Sequence, residues 1–357
     1  MRIAFLLYGS PDTLTGGYLY DRQVIQRWRA WGHSVEIVSL PWHGYARSLL
    51  DNVSPALHRR LAALNCDVLI QDELCHPSLL YRNRRLPYSV LALVHLLHSS
   101  AHNWAAPQRI LYRAIEKRYL QQVDGWIFVS RATQNAALAL GLPAKPQMIA
   151  LPAGDHLVPQ VTASQIAARA RTPSPLRILF LGNLVYRKGL HTLLHALRAL
   201  PPAAAWTLTV LGAEDFEPRY AAQMHALAAP LGERVRFLGR VPNAQIGAHL
   251  AQSDILAAPA YAEGYAIAYL EAMAHGLPVF ASNVGGAPEL IRHGENGFLL
   301  PPHDPSAWRT TLESLLSRAA LEPLSLAARH TFDTHPTWDD AARAILAFST
   351  GDSLSRP

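Results

Sequence analysis

Two α/β domains in tandem, each built on a parallel sheet, are what this sequence predicts, and three observations predict it. Short apolar runs of strand length alternate with longer segments of helical periodicity, the pattern of strands joined by crossover helices. At 357 residues the chain exceeds the ~100–200 residues expected of one domain. The series of runs is interrupted once, over residues 155–176, where Ala, Pro, Ser and Thr dominate and Pro159, Pro173 and Pro175 stand.

Taken in order, the first half offers apolar runs at 3–7, 35–40, 68–71, 89–94, 126–129 and 148–151. Residues 18–31 between the first two are long enough for a helix, with Leu19, Val24, Trp28 and Trp31 on its apolar stripe and Gly32 to stop it. The interruption at 155–176 is read as the joining segment, with 163–171 able to form a short helix inside it. A second series follows at 177–181, 207–211, 235–238, 255–258, 278–281 and 297–300. The expected domains are 1–160 and 173–335, and the polar tail after Gly351 is expected to fray.

Composition narrows the class. Hydrophobic residues make up 50% of the chain and charged residues 16%, below the ~25% of an average soluble domain, which excludes a disordered chain. Two cysteines, Cys66 and Cys75, cannot build a disulfide framework, and no Cys/His spacing suggests structural zinc. A reducing cytoplasm is the expected setting. The first apolar run is too short for a signal-peptide core. The longest stretch without Asp, Glu, Lys or Arg, 86–108, holds three histidines and two prolines, so no transmembrane helix is expected. The net charge of +6 suits anionic substrates, a membrane surface or plain solubility, and only Lys117, Lys145 and Lys188 among the basic residues are lysines. No G-x-G-x-x-G follows a strand, which argues against a dinucleotide oxidoreductase, and no motif accompanies the charge to suggest nucleic-acid binding.

The densest chemical signal is residues 260–289, AYAEGYAIAYLEAMAHGLPVFASNVGGAPE. After the run at 255–258, Glu263 and Gly264 lead into an expected helix over 265–274. The backbone N–H groups of Gly264, Tyr265, Ala266 and Ile267 at its N-terminus form an anion-binding end. Glu263 beside that end and Glu271 about two turns along suit hydrogen bonds to sugar hydroxyls and to a ribose. The plainer reading makes Glu263 a carboxylate favoured by the helix dipole and Glu271 a solvated helix charge.

Glu263 and Glu271, with seven residues between them, together with Ala272-Met273-Ala274, His275-Gly276-Leu277-Pro278-Val279 and Gly285-Gly286-Ala287-Pro288-Glu289, resemble the E-x7-E signature of retaining glycosyltransferases of family 4. The resemblance extends to Gly16-Gly17, Gly32-His33, Ser130, the segment from Gly182 to Gly189 and Gly294-Glu295-Asn296-Gly297. It implies the GT-B fold: two Rossmann-like domains facing across a cleft, the first binding the acceptor and the second the nucleotide-sugar donor. A final helix at about 336–350 would cross back to the first domain.

In GNLVYRKG, a lysine and an arginine can neutralise a departing nucleotide diphosphate. The resemblance places Lys188 there, with an arginine directly after Gly182; this chain has Asn183 at that place, and Arg187 is the candidate substitute. Gly16 and Gly17 would let a loop bring backbone N–H groups against the donor. The family's active-site histidine maps to His95, after the fourth run, with His98 as second candidate. A core histidine or an H-x-x-H metal pair are the other readings, the metal ranked last because neither histidine has a carboxylate or thiolate at ligand spacing. Asp72 and Glu73 are either acceptor contacts or a cap and a solvated charge, outside the catalytic set. Glycine is usual in the family where Ala266 stands, and its methyl either narrows the sugar pocket or is accommodated in helical φ/ψ.

These readings imply a metal-independent transferase with a nucleotide-diphosphate sugar as co-substrate and no resident cofactor, acting on a glycan or lipid-linked acceptor. UDP-, GDP- and ADP-linked donors all stay open. A nucleotide-sugar binding protein without transferase activity is the alternative. Arg47, His58, Arg59, Arg60 and the stretch Arg82-Asn83-Arg84-Arg85, with Leu79, Leu80 and Tyr81, are either an anionic-membrane contact on the inner face or a solvated basic face.

Overall fold

The computed structural model describes residues 1–351 apart from 14, 82, 102, 103, 158 and 160. Arg82 and the tail beyond Gly351 therefore lie outside the described residues. The chain divides into two compact units, Met1–Pro152 with Pro336–Pro357, and Ala153–His335. Residues 155–176 fall inside the second unit. Their helix Ala163–Arg171 is fixed by a capping box between Thr162 and Gln165 and buries Ile166.

The first unit is a six-stranded sheet of β1 (Arg2–Tyr8), β2 (Ser34–Leu40), β3 (Val68–Asp72), β4 (Ser89–Val94), β5 (Gly125–Phe128) and β6 (Gln147–Ile149). All neighbours are parallel, in the order β2-β1-β3-β4-β5-β6. Apart from β2 and β6, these strands are buried almost throughout, as expected of a parallel sheet covered by helices, and this is why they read as unbroken apolar runs. Helix Gly16–Ala30 begins under the cap of Thr15, whose hydroxyl accepts from Tyr18 N–H. The last helix, Trp338–Ser349, packs on it: Trp28 Nε1 donates to the Ala342 carbonyl at 3.0 Å, Arg27 pairs with Asp339 at 2.7 Å, and the Tyr20 and Trp338 rings meet edge to face.

The second unit holds β7 (Leu176–Leu181), β8 (Trp206–Leu211), β9 (Val235–Phe237), β10 (Ile255–Ala258), β11 (Val279–Ser282) and β12 (Gly297–Leu300). Again all are parallel, in the order β12-β11-β10-β7-β8-β9. Its core gathers Ile178, Phe180, Leu193, Leu208 and Phe280 with Trp308. At the amino ends of the two central strands, buried Asp254 accepts hydrogen bonds from the Arg177 backbone and guanidinium and from Arg318, which ties the start of β7 to the start of β10.

The strand orders decide where chemistry can sit. In each unit the order reverses direction once, between β1 and β3 and between β7 and β10. Loops leaving the carboxyl ends of strands at such a switch point splay apart and leave room for a ligand. Every candidate residue below comes from those loops or their neighbours.

Candidate active site

In the second unit, the loops after β7 and β10 meet at the switch point. Lys188 ends a short 3-10 turn, Tyr186–Lys188, and its Nζ forms a close ion pair with Glu263 Oε2. The two side chains are 22% and 13% exposed. Burial pulls the Lys188 ammonium below its ordinary range against the opposing pull of Glu263. Burial alone would raise Glu263, but the charges of Lys188 and Arg187 and the N–H of Gly264 outweigh it and hold the carboxyl below its usual range. Arg187 is half-buried, and its guanidinium reaches the Ala262 carbonyl at 3.3 Å. Asn183, standing where the resemblance expects arginine, accepts from Ala213 N–H at 3.2 Å and so braces the neighbouring loop.

The helix after Glu263 begins later than the sequence suggests. It spans Ile267–Ala274, with Ala266 as its N-cap at φ 63°, ψ 86°. Ala266 is thus left-handed, not helical, which corrects the expectation for its methyl; it is one of two non-glycine residues with positive φ among the described residues. Glu263 consequently lies in the loop and not on the helix. Gly264 N–H turns to the Glu263 carboxylate, while the N–H groups of Tyr265, Ala266 and Ile267 have no acceptor among the described residues. Tyr265 is buried, and its hydroxyl lies 2.8 Å from His335 Nε2. The Gly285-Gly286 pair explains itself by close approach: at Gly285, φ 56°, a Cβ would stand 1.7 Å from the Glu263 carbonyl oxygen.

Glu271 is not the solvated charge of the plainer reading. It is 5% exposed and bonds His156 Nε2 through Oε1 at 2.9 Å. The C-terminal end of its helix is closed by two cations: Arg169 donates to the His275 and Gly276 carbonyls and Arg329 to that of Ala274.

In the first unit, His95 stands one residue beyond β4, with its ring packed against Gly17: a Cβ there would lie 3.3 Å from His95 Cδ2. Gly16 and Gly17 are the opening residues of helix Gly16–Ala30 and not a loop; Gly17 is needed so that the helix can approach the imidazole. His95 Nε2 lies 3.0 Å from Asp21 Oδ1, and Asp21 is fully buried with its other oxygen unpartnered among the described residues. Asp72, at the end of β3, completes a group whose ligand atoms lie within 4.8 Å of one another. Burial lowers the imidazole pKa, but the charge and hydrogen bond of Asp21, then Asp72, outweigh it and leave His95 above its ordinary value. Burial, then the neighbouring Asp21, pushes Asp72 up to about 7. The carboxylates absent at ligand spacing are therefore supplied from distant positions.

His98 belongs elsewhere. It opens the short helix His98–Ala101 and stacks on Tyr45 at 4.9 Å, with Trp104 and Tyr112 about it. Glu73 is buried at 2% exposure beside His76, not solvated. Of the residues proposed for a membrane contact, Leu79 and Leu80 are core and Asn83 is buried against Gln71, whereas Arg47, Arg59, Arg60, Tyr81, Arg84 and Arg85 are exposed. No helix of the described residues is long and apolar enough to cross a membrane.

Comparison with known proteins follows this division. The model of the Glycosyltransferase Family 4 domain matches residues 13–151, and that of Glycosyl transferases group 1 matches residues 175–318. The chain belongs to glycosyltransferase family 4. A D-inositol 3-phosphate glycosyltransferase of Xylanimonas cellulosilytica is 34% identical over 56% of this chain and 49% of its own. A GDP-mannose-dependent alpha-(1-6)-phosphatidylinositol monomannoside mannosyltransferase of Mycobacterium tuberculosis is 30% identical over 68% of this chain and 66% of its own. The chain thus spans about half of the first relative's length and about two thirds of the second's. Anabaena HepE, solved in complex with UDP-glucose, superposes with a TM-score of 0.78 at 18% identity, covering 97% of this chain and 98% of that one. That likeness shows the GT-B fold.

In this family 4 chain, the residues that sequence reasoning missed are Asp21, His156 and the buried role of Asp72. The only local hint was Asp21's place on the apolar side of an otherwise ordinary amphipathic helix. What the arrangement can do is clear from its charges. Lys188 with Arg187 offers a cationic contact beside free backbone N–H groups, suited to a phosphate oxygen. Asp21 holds the His95 ring through Nε2 and favours its protonated form, so that Nδ1–H can donate to a hydroxyl or an oxyanion.

Proposed function

We propose that this protein is a retaining glycosyltransferase that moves a sugar from a nucleotide-diphosphate donor to an acceptor hydroxyl, with no metal on the diphosphate. The carrying observation is the Lys188–Glu263 pair beside Arg187 and the N–H groups of Tyr265, Ala266 and Ile267. A leaving diphosphate gains negative charge as the glycosidic bond breaks, and fixed cations and N–H dipoles that already point at it lower that barrier without reorganising. On this reading Lys188 and Arg187 contact the diphosphate and Glu263 binds sugar hydroxyls after exchanging part of its ion pair for them. Glu271 binds the ribose from its hydrogen bond with His156. His95 donates to the donor sugar, with Gly16 and Gly17 beside it. The second unit is the donor domain and the first binds the acceptor. Front-face displacement lets the departing phosphate take the acceptor proton, which removes the need for a separate general base.

Likeness to proteins named for GDP-mannose and solved with UDP-glucose supports a nucleotide-sugar donor without choosing its base. A thermal-shift screen of UDP-, GDP- and ADP-linked sugars tests this. A matching donor at one hundred times its dissociation constant stabilises by about 2.7 kcal/mol. No shift with any of them removes the proposal; a shift with no product from any acceptor makes the protein a nucleotide-sugar binder. The exposed arginines Arg47, Arg59, Arg60, Arg84 and Arg85, with exposed Leu50 and Val53, support an anionic membrane as the surface on which a lipid-linked acceptor is met. If anionic liposomes fail to sediment the protein at low salt, that part is removed.

A further inference from the structure

A second group of ionisable side chains in the first unit takes no part in the proposed reaction. Glu73 and His76 lie three residues apart on the 3-10 turn that follows β3, and Glu116 lies on helix Ala106–Leu120. Their exposures are 2%, 1% and 0%. One ligand atom from each lies within 4.8 Å of the others. Glu73 Oε1 is 3.1 Å from His76 Nδ1. Glu73 Oε1 and Glu116 Oε2 have no hydrogen-bond partner among the described residues, and neither carboxylate pairs with a lysine or arginine there. Buried negative charge here is costly: Glu116 Oε2 has lost water and gained no donor among the described residues, and Glu73 Oε1 has only the His76 imidazole in reach.

The surroundings are arranged as second contacts of a metal ligand set. Tyr45 Oη lies 2.8 Å from His76 Nε2, so Nε2–H can donate to it and fix the ring with Nδ1 free to bind. Nδ1 lies 2.9 Å from the Glu73 carbonyl oxygen, a contact that a bound cation would replace. Ser99 N–H donates to Glu116 Oε1 at 2.9 Å and orients that carboxylate. Two carboxylates, a neutral imidazole and a divalent cation sum to zero charge, which the enclosed position requires. Bond lengths of about 2.0–2.2 Å to nitrogen and oxygen put neighbouring ligand atoms of a tetrahedral ion roughly 3.4 Å apart, within reach of small side-chain movements.

We propose that Glu73, His76 and Glu116 bind one divalent transition-metal ion of the zinc type, which clamps the turn after β3 to helix Ala106–Leu120. An imidazole among two carboxylates favours zinc, manganese or iron(II) over magnesium and calcium. The ion is structural: its ligands are buried, and it is separate from the Lys188 contact to which a metal-free diphosphate is assigned.

The test is a titration of the full chain, stripped with a chelator, by zinc chloride, followed by elemental analysis and melting temperature; cobalt(II) serves as the optical probe. About one equivalent of zinc, a higher melting temperature and a cobalt spectrum that zinc displaces are expected. Glu116→Gln should weaken uptake at least a hundredfold, and Tyr45→Phe ten- to a hundredfold. Asp21→Asn should leave uptake intact, which separates this site from the group around His95. No uptake of either ion by the wild type overturns the proposal, whether or not Glu116→Gln folds. So does uptake that Glu116→Gln and Tyr45→Phe leave unchanged, or that Asp21→Asn abolishes.

Discussion

Replacing Lys188 by alanine tests the donor contact and its electrostatics together. The substitution removes the ion-pair partner of Glu263 and retains Arg187. Loss of one preorganised group that stabilises transition-state charge costs about 10²–10³ in kcat, or about 3–4 kcal/mol. Because Lys188 acts on charge that develops as the bond breaks, kcat should fall further than KM rises. Folding should suffer less: the pair is neither fully exposed nor fully buried, and its loss is expected to cost about 1–3 kcal/mol at neutral pH. The pH dependence has a definite sign. In the wild type the Glu263 carboxyl is held below its ordinary value, so the stabilisation is present above roughly pH 4.3 and is lost as pH falls through the folded-state value. Without Lys188 that depression shrinks. The stability gap between the two proteins, measured by urea unfolding from pH 3 to 7, should therefore be widest near neutrality and close towards acid. A variant within about threefold of wild-type kcat, or a gap independent of pH, would refute the reasoning.

Three further substitutions probe other parts. Ala266→Gly relieves a left-handed alanine, worth about 1–2 kcal/mol, against an unfolded-state entropy loss of about 0.5–1, so a melting temperature higher by roughly 1–3 °C is expected; a lower one contradicts the assigned backbone. Asp21→Asn takes away the charge that most raises His95, and the pH above which activity falls should move down, with the fold retained by circular dichroism; an unmoved profile removes the dyad. Asp254→Ala leaves Arg177 and Arg318 without their shared partner and should cost about 3–5 kcal/mol in urea unfolding. Asp254 is held below its ordinary value, so its contribution is present above about pH 3.8 and lost below that.

The strands were legible because each is a local event. A parallel strand covered on both faces must be apolar at nearly every position, and each of the twelve strands among the described residues overlaps an apolar run. The resemblance singled out Lys188 and Glu263 separately, and the structure pairs them across 75 residues of sequence. The His95 support was not legible, because its partner lies 74 residues away, as Glu271's lies 115 away, and neither pairing leaves a periodic trace. The helix boundary at Ile267 was also hidden: Tyr265 and Ala266 are compatible with helix, and only the packing of Gly285 and Gly286 on the Glu263–Gly264 backbone forces the chain through a left-handed residue first.

The proposed reaction transfers a sugar with retention at the anomeric carbon. Proton NMR of the first-formed product, from the α-linked nucleotide sugar that gives the largest thermal shift, tests it most directly. The acceptors are glycosides, inositol phosphates and lipid-linked sugars, with no metal added to the reaction. An α-linked product is expected from the wild type, with a hundredfold or greater loss of turnover in Lys188→Ala. A β-linked product, or donor bound and never consumed, would contradict it.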